Sequence, residues 1–198
     1  YGIRKANFGL QHLNDMRDCT TEEYNLIAGQ LYFFRGWFHF MLMQYFGGLP
    51  YVDHVLSSSP TSVRLPRLSY HECANKVAED LQRAALLLPV DWDDTTVGKN
   101  TLGKNRQRIN KIMALGFLGK NYLWAGSPLM NYESTGEKAY NKEYCKKAAD
   151  VFAEMLSLCR EEGGKADYSL MDFNEYSSIF YTLNQGYKIC LLYTSDAA

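Results

Sequence analysis

The sequence predicts an all-α fold, built as an irregular array of helices. Three observations carry this. Helical periodicity dominates the 198 residues, and a strand pattern is nearly absent. Capping residues open the periodic stretches, and glycine or proline closes them. The longest apolar stretch, Leu31 to Phe46, is interrupted by only three strongly polar residues, Arg35, His39 and Gln44, as a helix buried on most of its sides requires.

The first predicted helix spans about Thr21 to Phe46, with Thr20 or Thr21 as N-cap and Glu22 and Glu23 in its first turn. Arg35 and His39 are four apart and share one narrow seam. A membrane span needs about 20 mainly apolar residues. The polar interruptions and the leading acids make this a core helix instead. Gly47-Gly48 ends it, and the chain turns through Leu49-Pro50-Tyr51.

The second helix runs from about Tyr70 to Leu88. Pro66 breaks the chain before it, Ser69-x-x-Glu72 has the capping-box pattern, and Pro89 stops it. Cys73, Val77, Leu81, Ala84 and Leu88 form its apolar stripe. The third runs from about Arg106 to Ala125. It carries Gly116 and Gly119 at a cost of about 1 kcal/mol each relative to alanine, which predicts a second backbone packed close by. The fourth runs from about Lys142 to Glu161, with Asn141 as N-cap, Gly163-Gly164 as stop, and Tyr144, Ala148, Val151, Met155 and Leu158 facing inward. Beyond Gly164, Tyr168-Ser169-Leu170 predicts a loop and Phe173 to Phe180 a short helix.

Two of these helices carry a diluted tetratricopeptide pattern. Leu118-Gly119-x-x-Tyr122 matches the first-helix element and Ala148-x-x-x-Phe152 the second, although the connection from Gly126 to Asn141 is too long for a standard repeat. Such pairs stack into a curved superhelix.

A formal charge of −1 gives no footprint for nucleic acid or an anionic membrane. Five widely separated cysteines (Cys19, Cys73, Cys145, Cys159 and Cys190) with no C-x-x-C argue against a disulfide framework or a zinc site. Cys73 and Cys159 read as small core hydrophobes. Gly98 to Lys104 fits G-x-x-x-x-G-K, but Asn105 stands where a Ser or Thr must hold magnesium, and the acidic loop before it is no buried strand. A flexible glycine-lysine loop is the better reading. Asp91, Asp93 and Asp94 suggest a calcium loop, but Thr96 and Leu102 occupy the sixth and twelfth places, where an EF-hand needs Gly and Glu. His12, His39, His54 and His71 fit no catalytic motif. His39 reads as a hydrogen-bonded core histidine, and Arg35 as a buried structural pair or a ligand of backbone carbonyls.

The arginine-bearing aromatic helix followed by Phe46-Gly47-Gly48-Leu49-Pro50-Tyr51-Val52-Asp53 resembles the signature of the SusD/RagB family of outer-membrane nutrient-uptake lipoproteins. Pro66 to Tyr70, Asp80-Leu81-x-x-Ala84, Leu87-Leu88-Pro89 and Arg108 to Lys111 follow in the same order, so the resemblance covers roughly residues 22 to 186. It implies a SusD-like, tetratricopeptide-like helical array, of which residues 1–189 are an internal part. It also implies a surface lipoprotein with its signal and lipidated cysteine outside this chain. Cys190 to Ala198 reads as a non-native read-through tail.

The function implied is non-catalytic: capture of a nutrient, usually an oligosaccharide, at the extracellular face of the outer membrane by a lid over a SusC-type TonB-dependent barrel. No cofactor is implied. The alternative is a helical-repeat scaffold that binds protein and no sugar. Sugar rings stack on aromatic faces while planar polar groups take their hydroxyls. Trp92, flanked by Asp91 and Asp93, and Tyr132 and Tyr140, flanking the loop after the third helix, have that chemistry. The implied ligand-binding portion lies mostly beyond this chain.

Overall fold

The computed structural model describes residues 1–57, 64–105, 108–159, 168, 170 and 172–180. Among them are seven α-helices and no strand: α1 (Gly2–Gln11), α2 (Thr21–Phe46), α3 (Tyr70–Leu87), α4 (Thr96–Lys99), α5 (Lys111–Ala125), α6 (Pro128–Thr135) and α7 (Lys142–Cys159). Short 3-10 turns sit at Leu13–Asp15, Trp92–Asp94 and Phe173–Phe180. The last of these is the short helix the sequence predicts.

Local chemistry explains the boundaries. Thr20 and Ser69 each form a complete capping box, with Glu23 and Glu72 reaching back to the cap backbone. Gly47 closes α2 at φ +69°, a conformation that L side chains rarely adopt. A Cβ on Gly48 would lie 2.1 Å from the Leu68 carbonyl oxygen, because the chain leaving α2 runs against the chain entering α3. Asn141 caps α7 through hydrogen bonds from the Glu143 and Tyr144 amides.

Helices pack in series, α1 on α2, α2 on α3, α3 on α5 and α5 on α7, with α6 against α3 and α5. The predicted stripe of α3 (Cys73, Val77, Leu81, Ala84 and Leu88) lies in the core beside Phe40 and Met43 of α2 and Ile112 and Leu115 of α5. Tyr144, Ala148 and Met155 of α7 are buried, as expected.

The structure corrects four expectations. The third helix begins at Lys111, not Arg106: Asn110 caps it, and the Lys111 amide donates to the Pro89 carbonyl. Gly119 faces the Phe152 ring, not a second backbone; a Cβ there would sit 2.6 Å from Phe152 Cε1. Gly119 and Phe152 are the small and large members of the tetratricopeptide pattern, so that pairing is physical. The long connection from Gly126 to Asn141 holds a helix, α6, opened by Ser127 and Pro128 and closed by Gly136 at φ +82°. The glycine-lysine stretch is cinched rather than flexible: buried Asn105 donates to Asp93, to the Gly98 carbonyl (2.9 Å) and to the Thr101 carbonyl (3.1 Å). The Gly163-Gly164 stop, residues 160–161 and the tail at 190–198 lie outside the described residues.

No helix among the described residues is long and apolar enough to cross a membrane. They also contain no cluster of three His, Cys, Asp or Glu side chains that could hold a metal ion.

Candidate functional site

Three places concentrate polar chemistry. The first is a buried latch between α1, α2, α3 and the segment after α2. Arg35 grips Asp80 with both ends of its fork, Nε to Oδ2 at 2.7 Å and Nη2 to Oδ1 at 2.5 Å. Its Nη1 donates to Asn7 Oδ1 (3.2 Å) and to the Asp53 carbonyl (2.9 Å). Asn7 in turn donates to the Val52 and His54 carbonyls, and the Tyr51 hydroxyl donates to Asp80. A bidentate, charge-assisted pair with its other valences answered is the arrangement that makes a buried ion pair tolerable.

His39 sits beside this latch, fully buried and stacked on Tyr51. Its Nδ1–H donates to the Arg35 carbonyl (2.8 Å), and its Nε2 accepts from the Val52 amide (3.1 Å). Both bonds are satisfied by the neutral ring, and burial pushes the imidazole down to about 4. Burial also opposes the Arg35 charge, but the hydrogen bond and charge of Asp80 outweigh it and leave the guanidinium above its usual range. Burial and then the Asp80 charge raise the Tyr51 hydroxyl. Arg35 and His39 therefore have the structural roles read from the sequence. Nothing in the latch is open to a substrate.

The second place is a cleft of about 440 Å³ between residues 16–19, the first turns of α2 and the turn at Trp92. Met16, Leu26, Ile27 and Val97 supply apolar wall, while Arg17, Asp18, Glu23, Gln30 and Arg108 supply polar groups. Asp18 is the one non-glycine residue with positive φ (+57°) among the described residues. Trp92 lies at the base of the cleft, only 2% exposed. Its Nε1–H donates to the Ile109 carbonyl (2.7 Å), and the Arg108 guanidinium lies over the ring, 4.7 Å from its centroid. A sugar could reach that face only by displacing Arg108, so Trp92 is not the open stacking platform its acidic flanks suggest.

The third place is the corner made by α6 and the loop after it. Asn131 donates to the Glu137 and Ala139 carbonyls, and its own Oδ1 accepts from Asn141, which folds the loop back against α6. Tyr132 (48% exposed) and Tyr140 (71% exposed) project from this corner, with Lys138 Nζ 5.1 Å from the centre of the Tyr132 ring. The structure thus assigns two of the three predicted aromatics to one corner and separates Trp92 from them. The cleft itself went unread, because its lining comes from three separated parts of the sequence.

A model of the SusD-like family, described as starch-binding and associating with the outer membrane, matches residues 1–123. Solved structures share the fold. A SusD-like protein from Bacteroides fragilis is 23% identical, with a TM-score of 0.66 over 94% of this chain and 30% of its own. A SusD homolog from Bacteroides thetaiotaomicron is 21% identical, with a TM-score of 0.65 over 90% of this chain and 30% of its own. A laminarin-binding SusD-like protein is 19% identical, with a TM-score of 0.61 over 92% of this chain and 34% of its own. The chain spans about a third of the length of these proteins. No curated protein matches it.

Proposed function

This chain belongs to the SusD-like family, and from that premise we propose that it is part of a glycan-capturing lipoprotein of the outer-membrane surface. The protein acts as a lid on a SusC-type TonB-dependent barrel, takes an oligosaccharide from outside and delivers it by closure, without breaking a bond. The single observation that carries this is the family match over residues 1–123, which includes the latch. The latch supports the reading as scaffold: it fixes α1, α2 and α3 to one another and leaves recognition to the periphery. Tyr132 and Tyr140 at the α6 corner are the proposed stacking residues for a sugar ring, and the stacked helices the proposed barrel-facing scaffold. Trp92 contributes indirectly, by holding Arg108.

A glycan array and a hydrolysis assay on the full-length protein test this together. Binding without turnover is expected; turnover, or failure of every glycan to bind, overturns it. Co-purification with the co-encoded barrel tests the lid assignment. In the same binding assay Tyr132→Ala with Tyr140→Ala should weaken affinity about tenfold, or about 1.4 kcal/mol, with the melting temperature unchanged.

A further inference from the structure

We propose that the cleft at Trp92 is a second glycan subsite, distinct from the α6 corner, and that it takes an acidic sugar. Arg108 and Arg17 would receive the carboxylate of a uronic acid unit. The inference rests on the glycan-capture reading and adds a charge class and a place to it.

The carrying observation is the state of the two guanidiniums. Both line one cleft, and among the described residues neither has a carboxylate within ion-pairing distance. Arg108 is prepared for a ligand. Its face rests on the indole of Trp92, which is itself fixed by the bond from its Nε1–H to the Ile109 carbonyl. A guanidinium stacked in this way keeps its in-plane N–H edge free, the edge that meets a carboxylate in a bidentate pair. Ordering that side chain beforehand lowers the cost of binding.

The acids around the cleft are mostly committed elsewhere. Glu23 is held by the amide and hydroxyl of Thr20, which draw its carboxyl below the usual range. Glu22 accepts from the Thr96 amide at the start of α4. Asp18 is the remaining acid in the lining.

The walls favour a sugar over a simple anion. Met16, Ile27 and Val97 offer apolar surface to the C–H face of a pyranose, and Gln30 spends its Nε2–H on the Leu26 carbonyl, leaving its amide oxygen for a hydroxyl. A volume of about 440 Å³ falls in the lower part of the range for small-ligand sites, which suits a terminal unit rather than a long chain. The cleft and the α6 corner lie near opposite ends of α2. Leu26 lines the one, and Gly48 meets Glu133 of α6 at the other, about 30 Å away at 1.5 Å per residue.

Calorimetry of the full-length protein with trigalacturonate and with neutral galactotriose tests the proposal, with NMR of the Arg108 Nε–H as local readout. Expected are a preference of at least tenfold for trigalacturonate, its loss in Arg108→Gln, a smaller loss in Arg17→Gln, and a shifted Arg108 resonance. Acetate should bind far more weakly than the trisaccharide. Lys146→Gln, exposed on α7 and outside both sites, should leave the preference intact, and unchanged melting of Arg108→Gln rules out unfolding as the cause. Equal binding of the two trisaccharides, or an undisturbed Arg108→Gln variant, overturns the proposal while leaving the glycan-capture reading in place. Preference for an acidic peptide over trigalacturonate also overturns it. If no glycan binds the full-length protein, both readings fall.

Discussion

Arg35 and Arg108 are the same side chain in opposite circumstances. Arg35 is enclosed between helices, and four hydrogen bonds from its guanidinium end on Asp80, Asn7 and the Asp53 carbonyl. Arg108 is on the surface, its face on an indole and its edge answered by no carboxylate among the described residues. An arginine whose valences are spent inside the protein specifies the fold. One held in place with its valences unspent is available for something else. The family signature that is so legible in this sequence marks the first kind, which is why recognising it says more about architecture than about ligand.

The largest effect that could break this contrast is at the latch. Asp80→Ala should cost about 3–5 kcal/mol, because it leaves a buried guanidinium without its counter-charge, and denaturant unfolding would measure it. Pairing Arg35→Met with Asp80→Leu should recover part of that loss, with a coupling of about 1–3 kcal/mol. Additive losses would mean that the two groups do not act as a pair.

Next in size is a pH effect. His39 titrates at about 4 in the fold and near 6.5 when unfolded. The unfolded chain therefore binds the extra proton first. The contribution of neutral His39 is complete above about pH 6.5 and is lost progressively as the pH falls to about 4, by up to about 3 kcal/mol. His39→Gln should flatten that part of the stability profile. A profile unchanged by the substitution would remove the ring from the latch.

A smaller loss sharpens the contrast between polar and apolar closure. Gly119→Val should cost about 1–3 kcal/mol through collision with Phe152, and Phe152→Ala should relieve part of it. The smallest effect belongs to Arg108→Gln, expected within about 0.5 kcal/mol in thermal melts. A loss like that at Asp80 would place Arg108 with the structural arginines and erase the distinction.

The sequence discloses these regions unevenly, for physical reasons. Helices α2 and α3 announce themselves because their caps are local: Thr20 with Glu23, and Ser69 with Glu72, lie within one turn. The Gly119–Phe152 contact was legible as a pattern, although its meaning as ring against glycine needed coordinates. Helix α6 carries its signals in Ser127, Pro128 and Gly136, but at eight residues it is too short to show a helical period. Helix α1 offers no side-chain cap and went unread. Trp92 misled because its acidic neighbours suggest an exposed loop, whereas its burial depends on a carbonyl 17 residues further on. Asn7 contributes to the latch across 45 and 47 residues, a separation at which no spacing rule operates.

The clasp at the end of α2 has a consequence for variation. The Leu68 amide bonds the Leu49 carbonyl at 3.3 Å, and Arg67 ties the Gly48 and Phe46 carbonyls. Tyr51 to His54 belong to the latch, so the connection between latch and clasp runs from His54 to Arg67. Doubling such a connection costs only about 0.6 kcal/mol in closure entropy. Changes of length placed after His54, beyond the latch bonds of Tyr51, Val52, Asp53 and His54, should therefore be tolerated while the two helices keep their register.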